Sequence, residues 1–565
     1  MDRRRIVIIG GVAAGPKAAA RARRVDEEAE ITLVEKGSLV SYGSCGLPLY
    51  LAGMVSALDS LRSTPSGLVR DEGFFWREKR VRVLTHTLVT AVDRRAHAVH
   101  ARNGQGELTL PYDRLVLATG SQPLVPPIAG LEKGRGNWAD GVFGLHTPPE
   151  ADALRRVLAR GKRATVVGGG LIGLEVADAL AARRLQVTVV EARDTLLPGV
   201  LDPDLARLLA QHLAQQGWQL LTGAPVQAIT RANGQLQVEA AGHRQEADLV
   251  VVACGVRPEV TLAGEAGLKI GPTGAIATDD FLATSDPHIY AAGDCAETVH
   301  RVTGRKVWIP LASTANKQGR VAGTNAAGGG ERFPGVAGTA VLQVGDWNVA
   351  RTGLGEEEAR AFGYEVVTSF VAGTDGAHYH PLHAPVAVKI IAEAREHRLL
   401  GAQALGPGEA VKRVDVLATA ISFAARLEDV AQLDLGYAPP FATAIDICLH
   451  AANQARNKLE ERAEGITASE LKARMDEDRG RAPVIVDVRT PEEYGERRLP
   501  YPTLHLPLGE LRQRLGEIPA GEEIVVVCEM GVRGYEAQRF LQTHGWGSVR
   551  YLEGGLWAWP FGLVE

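Results

Sequence analysis

Arg5-Ile-Val-Ile-Ile-Gly-Gly-Val-Ala-Ala-Gly15 reads as an apolar strand, a glycine turn and the start of a helix. Ala164-Thr-Val-Val-Gly-Gly-Gly-Leu-Ile-Gly173 reads the same way. Each is followed by a helix and by a second apolar strand that ends in an acid, Ile31-Thr-Leu-Val-Glu35 and Val187-Thr-Val-Val-Glu191. A short apolar run before a glycine turn predicts a buried parallel strand, and the turn delivers backbone N–H groups at a helix N-terminus, where a pyrophosphate binds. The closing acid stands where it accepts hydrogen bonds from a ribose. The second copy has all three glycines, Gly168, Gly170 and Gly173; the first keeps Gly10 and Gly15 but has Val12 in the middle, so close approach of the phosphates is assigned to Gly11. Ala14, Lys36 and Ile172 flank these motifs and join the candidate cofactor contacts.

Two such units predict two dinucleotides, a bound flavin (FAD) and a diffusing nicotinamide (NADH or NADPH). Glu191 favours NADH, because the 2′-phosphate of NADPH would meet a carboxylate; Arg193, close behind, pulls the other way. Two further apolar strands break at glycine: Tyr112-Asp-Arg-Leu-Val-Leu-Ala-Thr-Gly120 and Ile289-Tyr-Ala-Ala-Gly-Asp-Cys295.

The 565 residues predict roughly three or four domains. A composition 45% hydrophobic and 23% charged is ordinary for a globular protein, and a net charge of −5 points to neither nucleic acid nor an anionic membrane as partner. Five scattered cysteines form no CxxC pair, which argues against a disulfide-stapled domain or a zinc ribbon and for a cytoplasmic protein without a metal site. Met1-Asp2-Arg3-Arg4-Arg5 followed by an apolar run mimics a signal peptide. The run is too short, however, and passes directly into Gly10-Gly11.

Beyond about Gly335 strands and helices alternate without glycine loops, through Lys389-Ile-Ile and Asp415–Ile421. A charged stretch, Arg456-Asn-Lys-Leu-Glu-Glu-Arg462, reads as a helical connector, and Thr467-Ala-Ser-Glu470 as a capping box that opens a new helix.

Ala118-Thr-Gly120, Gly255-Val-Arg-Pro258 and Gly293-Asp294-Cys-Ala together resemble the two-dinucleotide pyridine nucleotide–disulfide oxidoreductases. The resemblance covers roughly residues 3–455. It implies that Asp294 binds the ribityl chain of FAD and that Ala118, Thr119, Gly120 and Gly255 line the cofactor sites. Ser41-Tyr-Gly-Ser-Cys-Gly-Leu-Pro-Leu-Tyr50, Asn316-Lys-Gln-Gly-Arg320 and Tyr437-Ala-Pro-Pro-Phe441 narrow the likeness to coenzyme A–disulfide reductases, NADH oxidases and NADH peroxidases. One cysteine, Cys45, stands where glutathione-reductase-type relatives carry two. A single thiolate cycles through a mixed disulfide, a persulfide or a sulfenic acid. Cys254, Cys295 and Cys448 lie in apolar or glycine-rich runs and read as packing residues.

The resemblance further implies that Arg21, Arg24, Ser41, Ser44 and Lys79 contact coenzyme A. It also implies a homodimer in which Tyr437, and either Tyr379 or His380, reaches the partner's Cys45 as a proton donor; His380 would do so at a lower pKa. The last hundred residues resemble a rhodanese domain, through Asp487-Val-Arg489, Glu492-Glu-Tyr494 and the loop Cys528-Glu-Met-Gly-Val-Arg533. Loop N–H groups and the helix behind them are expected to hold the Cys528 sulfur as a thiolate or persulfide, with Arg533 adding positive charge.

The expected architecture is α/β: an FAD domain over 1–148 and 274–332, an NAD(P)H domain over 149–273, an α+β dimerisation domain over 333–455, a linker over 456–466 and a rhodanese-like domain over 467–565. Three functions fit it. The first is reduction of coenzyme A disulfide, coenzyme A persulfide or polysulfide, with the last domain delivering sulfane sulfur. The second is an NADH oxidase or peroxidase using a Cys45 sulfenic acid, against which stands the lack of a histidine early in the first helix (Lys17-Ala-Ala-Ala20). The third is a sulfane-sulfur carrier or redox sensor, against which stands the complete nicotinamide motif.

Overall fold

The computed structural model describes residues 3–131, 139–159, 161–477 and 482–564. Met1 and Asp2 of the basic N-terminal stretch lie outside the described residues; the apolar run after them is the strand Arg5–Ile9, at the centre of a sheet. The chain divides into two compact units, one of residues 1–192 and 223–336, the other of residues 193–222 and 337–565.

The first unit contains the two nucleotide-binding repeats. Five parallel strands run in the order Ile289–Ala291, Arg114–Leu117, Arg5–Ile9, Glu30–Val34 and Val81–Leu84. Arg5–Ile9 has four consecutive buried residues, Ile6 to Ile9, as a strand covered on both faces requires. The second repeat places Arg163–Val167 between Gln186–Val190 and Leu249–Val252, again parallel. The repetition goes further than the two glycine motifs. Each copy also carries a three-stranded antiparallel meander, Leu88–Asp93, Ala98–Asn103 and Gly106–Pro111 in one, Val226–Ala232, Gln235–Ala240 and His243–Ala247 in the other.

The helix Ala14–Val25 packs backbone to backbone on Ala312–Ala326. A Cβ at Gly319 would lie 2.4 Å from the Ala14 carbonyl oxygen, and one at Gly323 2.3 Å from that of Ala18. The segment Asn316-Lys-Gln-Gly-Arg320 therefore serves, through Gly319, as one half of this contact.

In the second unit five antiparallel strands run in the order Ala340–Val344, Trp347–Gly353, Leu399–Gly406, Pro385–Glu393 and Val366–Thr374, with the helices Ala410–Ser422 and Ile447–Leu459. The C-terminal part has five parallel strands, Gly465–Ile466, Val549–Leu552, Ile524–Val527, Val484–Asp487 and Thr503–His505. Its helix Ala468–Glu477 opens with the Thr467 hydroxyl accepting from the Glu470 N–H at 3.2 Å.

Two features differ from the sequence reading. The connector is not a separate element: Arg456–Leu459 is the last turn of the helix Ile447–Leu459, and Gly465–Ile466 is already an edge strand of the final sheet. Lys458 on that turn pairs with the buried Glu553, whose other oxygen accepts the Phe370 N–H at 3.2 Å, so the last domain is docked rather than tethered. The second difference is that residues 193–222, expected within the NAD(P)H domain, cluster with the second unit. Lys389, 4% exposed, explains it: its ammonium lies 3.0 Å from Asp202, 2.8 Å from Asp204 and 3.0 Å from Glu356.

Removing one partner from a buried ion cluster leaves uncompensated charge, so Lys389→Met is expected to cost about 3–5 kcal/mol. The change in urea midpoint measures it; a loss below about 1 kcal/mol would show that the cluster contributes little. Burial opposes ionisation of Glu356, but Lys389 outweighs it and holds this carboxyl below its usual value. The resulting stability is present above the ordinary glutamate pKa of about 4.3 and is lost as pH falls through the depressed value.

Candidate functional site

The glycines of the first unit are fixed by backbone contacts. Gly10 has φ +110°, and a Cβ there would sit 2.0 Å from the Ala118 carbonyl oxygen; Gly168 has φ +111° and would meet that of Ala253 at 2.3 Å. A Cβ on Gly15 would meet Gly10 O at 1.8 Å, and one on Gly173 would meet Gly168 O at 1.9 Å. The middle position is free of this constraint: a Cβ on Gly170 meets nothing within 4 Å. Val12 at the corresponding place is thereby tolerated. Gly11 has a different reason from the one read in the sequence, since its Cβ would lie 2.8 Å from that of Glu35.

Both acids fold back on their own turns. Glu35 accepts the Gly11 N–H at 2.6 Å and the Gly37 N–H at 2.6 Å, and Glu191 accepts the Gly169 N–H at 2.7 Å. Both are buried, while Lys36 and Arg193 are exposed. The structure also joins two motifs that are far apart in sequence. Ser121–Pro123, just after Ala118-Thr-Gly120, pairs antiparallel with Val256–Pro258, just after Gly255, and the Thr119 hydroxyl donates to Glu259 O at 2.7 Å. Asp294 accepts from the Ser121 hydroxyl at 3.1 Å, and burial pushes its carboxyl above the usual range. Beside it Gln318 accepts the Gly293 N–H at 2.8 Å and keeps a buried Nε2 without a protein partner.

Cys45 lies in the 3₁₀ turn Ser44–Gly46, directly before the helix Leu47–Ala52. The segment is held at both ends. Ser41, with φ +54°, donates its N–H to Gly11 O at 2.7 Å. The helix is clamped by Arg183, which donates to Leu51 O at 2.8 Å, and by Tyr50, whose hydroxyl donates to Asp152 at 3.1 Å under the Arg155 guanidinium. Arg183 caps the helix Leu171–Ala182, and that helix brings Glu175 into the field of Cys45. The protein around the thiol, and next the Glu175 charge, push the Cys45 pKa up; a Ser44 hydrogen bond opposes them. Burial raises Glu175 itself to about 7. Sequence reading missed Glu175. Its signal was an acid on an apolar helix, two residues past Gly173.

Of the proposed coenzyme A contacts, Arg24 is exposed and Ser44 borders Cys45, whereas Arg21 is engaged by Thr324 at 2.9 Å and by Glu331 at 3.7 Å. Arg23 between them is buried and bonds the Lys79 carbonyl at 3.1 Å and that of Arg80 at 2.9 Å, which ties the first helix to the turn carrying Lys79. Cys295 and Cys448 are fully buried, and Cys254 donates to Val167 O at 3.5 Å.

In the second unit Tyr379 and Tyr437 are both exposed, and Tyr437 pushes the Tyr379 hydroxyl pKa up. His380 faces its own turn, where Nδ1 accepts the Leu382 N–H at 3.4 Å.

Cys528 ends the strand Ile524–Val527 and is 1% exposed. Its sulfur accepts the Gly531 N–H at 3.1 Å and the Gly534 N–H at 3.2 Å. Burial outweighs these bonds, and its pKa lies above the ordinary thiol value rather than below it. The charge of Arg533 lowers the Cys528 pKa, as expected, but its guanidinium also binds Glu493 twice, at 2.7 and 2.6 Å, and burial prevails. Among the described residues no group of three or more His, Cys, Asp or Glu side chains could hold a metal, and no helix is long and apolar enough to cross a membrane.

Comparison with known proteins gives three domain matches. The pyridine nucleotide-disulphide oxidoreductase model matches residues 4–319, the dimerisation domain of that family matches 339–447, and the rhodanese-like domain matches 467–560. The solved structure of an NAD-dependent persulfide reductase from A. fulgidus is 43% identical with a TM-score of 0.93, covering 98% of this chain and 100% of that one. An NAD(P)H coenzyme A polysulfide/persulfide reductase of Pyrococcus horikoshii is 36% identical over 450 residues, 79% of this chain and 96% of the relative. An NADH oxidase of Methanocaldococcus jannaschii is 33% identical over 462 residues, 80% of this chain and 99% of the relative.

Glu175→Gln removes the negative charge that raises Cys45, so the pKa of Cys45 is expected to fall. The pH dependence of alkylation of the FAD-loaded protein reads this as a profile displaced to lower pH. A profile that stays in place or moves upward would remove Glu175 from the site.

Proposed function

Because this chain belongs to the pyridine nucleotide-disulphide oxidoreductase family, we propose that it is an FAD-dependent NAD(P)H oxidoreductase that reduces coenzyme A disulfide, coenzyme A persulfide or polysulfide at Cys45, supplied with sulfane sulfur by its rhodanese-like domain. One observation carries the reading. A lone exposed cysteine stands in the flavin-family segment next to Glu175, and a second cysteine sits in an intact sulfur loop of the same chain.

The residues fit FAD. The close-packed turn at Gly10 and Gly15, the open space over Gly120, the buried Asp294 and the partnerless Nε2 of Gln318 suit a polar, extended ligand. The second turn and Glu191 suit the adenosine end of a nicotinamide. FAD, when bound, supplies two-electron transfer from NAD(P)H to sulfur. The chain contributes the nucleophile. The Cys45 thiolate attacks one sulfur of coenzyme A disulfide, a mixed disulfide forms and one coenzyme A thiolate leaves. Two electrons originating in NAD(P)H then split the mixed disulfide, releasing the second thiolate and restoring Cys45. Glu175, close to neutrality in its titration, is suited to take up and return the proton that this cycle moves.

A homodimer belongs to the reading. Tyr379, Leu382, Phe423, Tyr437 and Phe441 of the dimerisation domain are exposed in the single chain and form a surface for a second copy, with Tyr437 offered to the partner's Cys45.

We take the sulfur leaving Cys528 to travel on a mobile carrier. Coenzyme A thiol, with its long pantetheine arm, fills that role: it accepts the outer sulfur of the Cys528 persulfide and presents it to Cys45. The named NADH oxidase relative keeps oxygen as the competing acceptor.

Rates of NADH consumption with coenzyme A disulfide, coenzyme A persulfide, polysulfide and oxygen, measured side by side, separate the two readings; the sulfur substrates are expected to be faster. Cys45→Ser should retain flavin absorbance and lose about 100-fold or more in kcat/KM, equivalent to about 2.7 kcal/mol of transition-state stabilisation. Substantial remaining turnover of coenzyme A disulfide would refute the role of Cys45. Cys528→Ser should leave preformed coenzyme A disulfide nearly as good a substrate as before while polysulfide reduction falls. Wild-type rates with every sulfur substrate would refute the relay.

A further inference from the structure

Three guanidiniums around the Cys528 loop, those of Arg533, Arg489 and Arg497, are matched by carboxylates. Arg533, which closes the loop, is held by both oxygens of Glu493, at 2.7 and 2.6 Å, and Glu493 is itself fixed by the Thr490 N–H at 2.9 Å. Arg489, fully buried, binds Asp487 at 2.8 Å. Glu529, immediately after the nucleophile, takes Arg489 at 3.4 Å and pairs with Arg497. Three guanidiniums thus meet three carboxylates, and two of those acids, Glu493 and Glu529, belong to the shell of the loop itself. The most exposed loop residue is apolar, Val532 at 64%, and Met530 is half-buried.

A site of this kind is poorly suited to thiosulfate. Thiosulfate carries both charges within one tetrahedral group, directly bonded to the sulfur that must reach Cys528. Its leaving group, sulfite, would depart as an anion past the carboxylates of Glu493 and Glu529. A thiol-borne persulfide, R–S–SH, instead presents a sulfur attached to a carbon chain, which Val532 and Met530 can contact.

We propose that Cys528 prefers organic persulfides to thiosulfate as sulfur donors, and that Glu493 and Glu529 are specificity residues that turn thiosulfate away. This deepens the reading of Cys528 as the sulfur acceptor and rests on it. In the transfer the Cys528 thiolate attacks the outer sulfur, an Sγ–S bond forms as the R–S–SH sulfur–sulfur bond breaks, and the carrier leaves with the bonding pair as R–S⁻ and takes up a proton. No net oxidation or reduction occurs. The sulfur then sits where the Gly531 and Gly534 N–H groups converge.

The test uses the full-length, FAD-loaded protein, with cyanide as sulfur acceptor and glutathione persulfide or thiosulfate as donor, the catalysed formation of thiocyanate being measured. Wild-type protein is expected to prefer the persulfide by about tenfold or more in kcat/KM. Glu493→Gln frees the Arg533 charge yet keeps a side chain that completes the Thr490 capping box, and Glu529→Gln frees Arg497 without changing shape. Each is expected to raise the thiosulfate-to-persulfide ratio by about fivefold or more. Equal use of the two donors by the wild-type protein, or a ratio unmoved in both variants, overturns the proposal while leaving Cys528 as acceptor. Transfer that survives Cys528→Ser overturns the underlying assignment of Cys528, and the proposal with it.

Discussion

At Gly10 and Gly168 the chain bends so close to the end of a neighbouring strand that any Cβ would overlap a carbonyl oxygen. The same exclusion recurs one step later, where Gly15 and Gly173 rest on the carbonyls of Gly10 and Gly168. These four contacts set the angle at which each strand feeds its helix, and hence where the helix N-terminus and the closing acid are placed. From them follow the anchoring of Glu35 on Gly11, of Glu191 on Gly169 and of Ser41 on Gly11, and through Ser41 the turn that carries Cys45. A side chain at any of the four would disturb more than a ligand contact, because it would move the frame from which the reactive thiol is suspended.

The chain uses charge differently in its two sulfur centres. Around Cys45 the influences raise the thiol, and Glu175, a carboxyl that burial lifts to about 7, adds to them. Around Cys528 the loop offers N–H groups, yet burial is the stronger influence and the nearest arginine is shared with a glutamate. Neither centre relies on a permanently exposed thiolate. That arrangement suits a protein whose cysteines meet polysulfides and persulfides, since stray thiolates would be consumed by oxidation and exchange.

Much of this was legible in the sequence because glycine turns, terminal acids and lone cysteines are local patterns whose chemistry is tied to their spacing. The two strand–turn–helix units, the family and the rhodanese-like ending all follow from such runs. What stayed hidden depends on residues far apart in the chain. Glu175 reaches Cys45 only because Arg183 and Asp152 clamp the intervening helix. Arg533 reads as a free positive charge until the fold sets Glu493, forty residues earlier, against it. The gathering of Asp202, Asp204 and Glu356 around Lys389 likewise has no local signal. The role read for Gly11 changed for the same reason: the sequence does not show that Glu35 lies against it.

The turn Glu553–Trp557 has a bearing on how such proteins are inherited and cut. On one side Glu553 is buried against Lys458 and the Phe370 N–H. On the other, Leu556 and Trp557 donate their N–H groups to the Cys528 and Glu529 carbonyls, at 2.9 and 3.0 Å, and Gly555 has room only for a hydrogen beside them. The seam between the last two domains therefore runs through the wall of a reaction centre. Recombination at the domain boundary would carry the sulfur loop and its back support together, along with an acid that has lost its cation. Exchange of the last domain would therefore go best where the recipient already supplies a basic residue at the end of the matching helix.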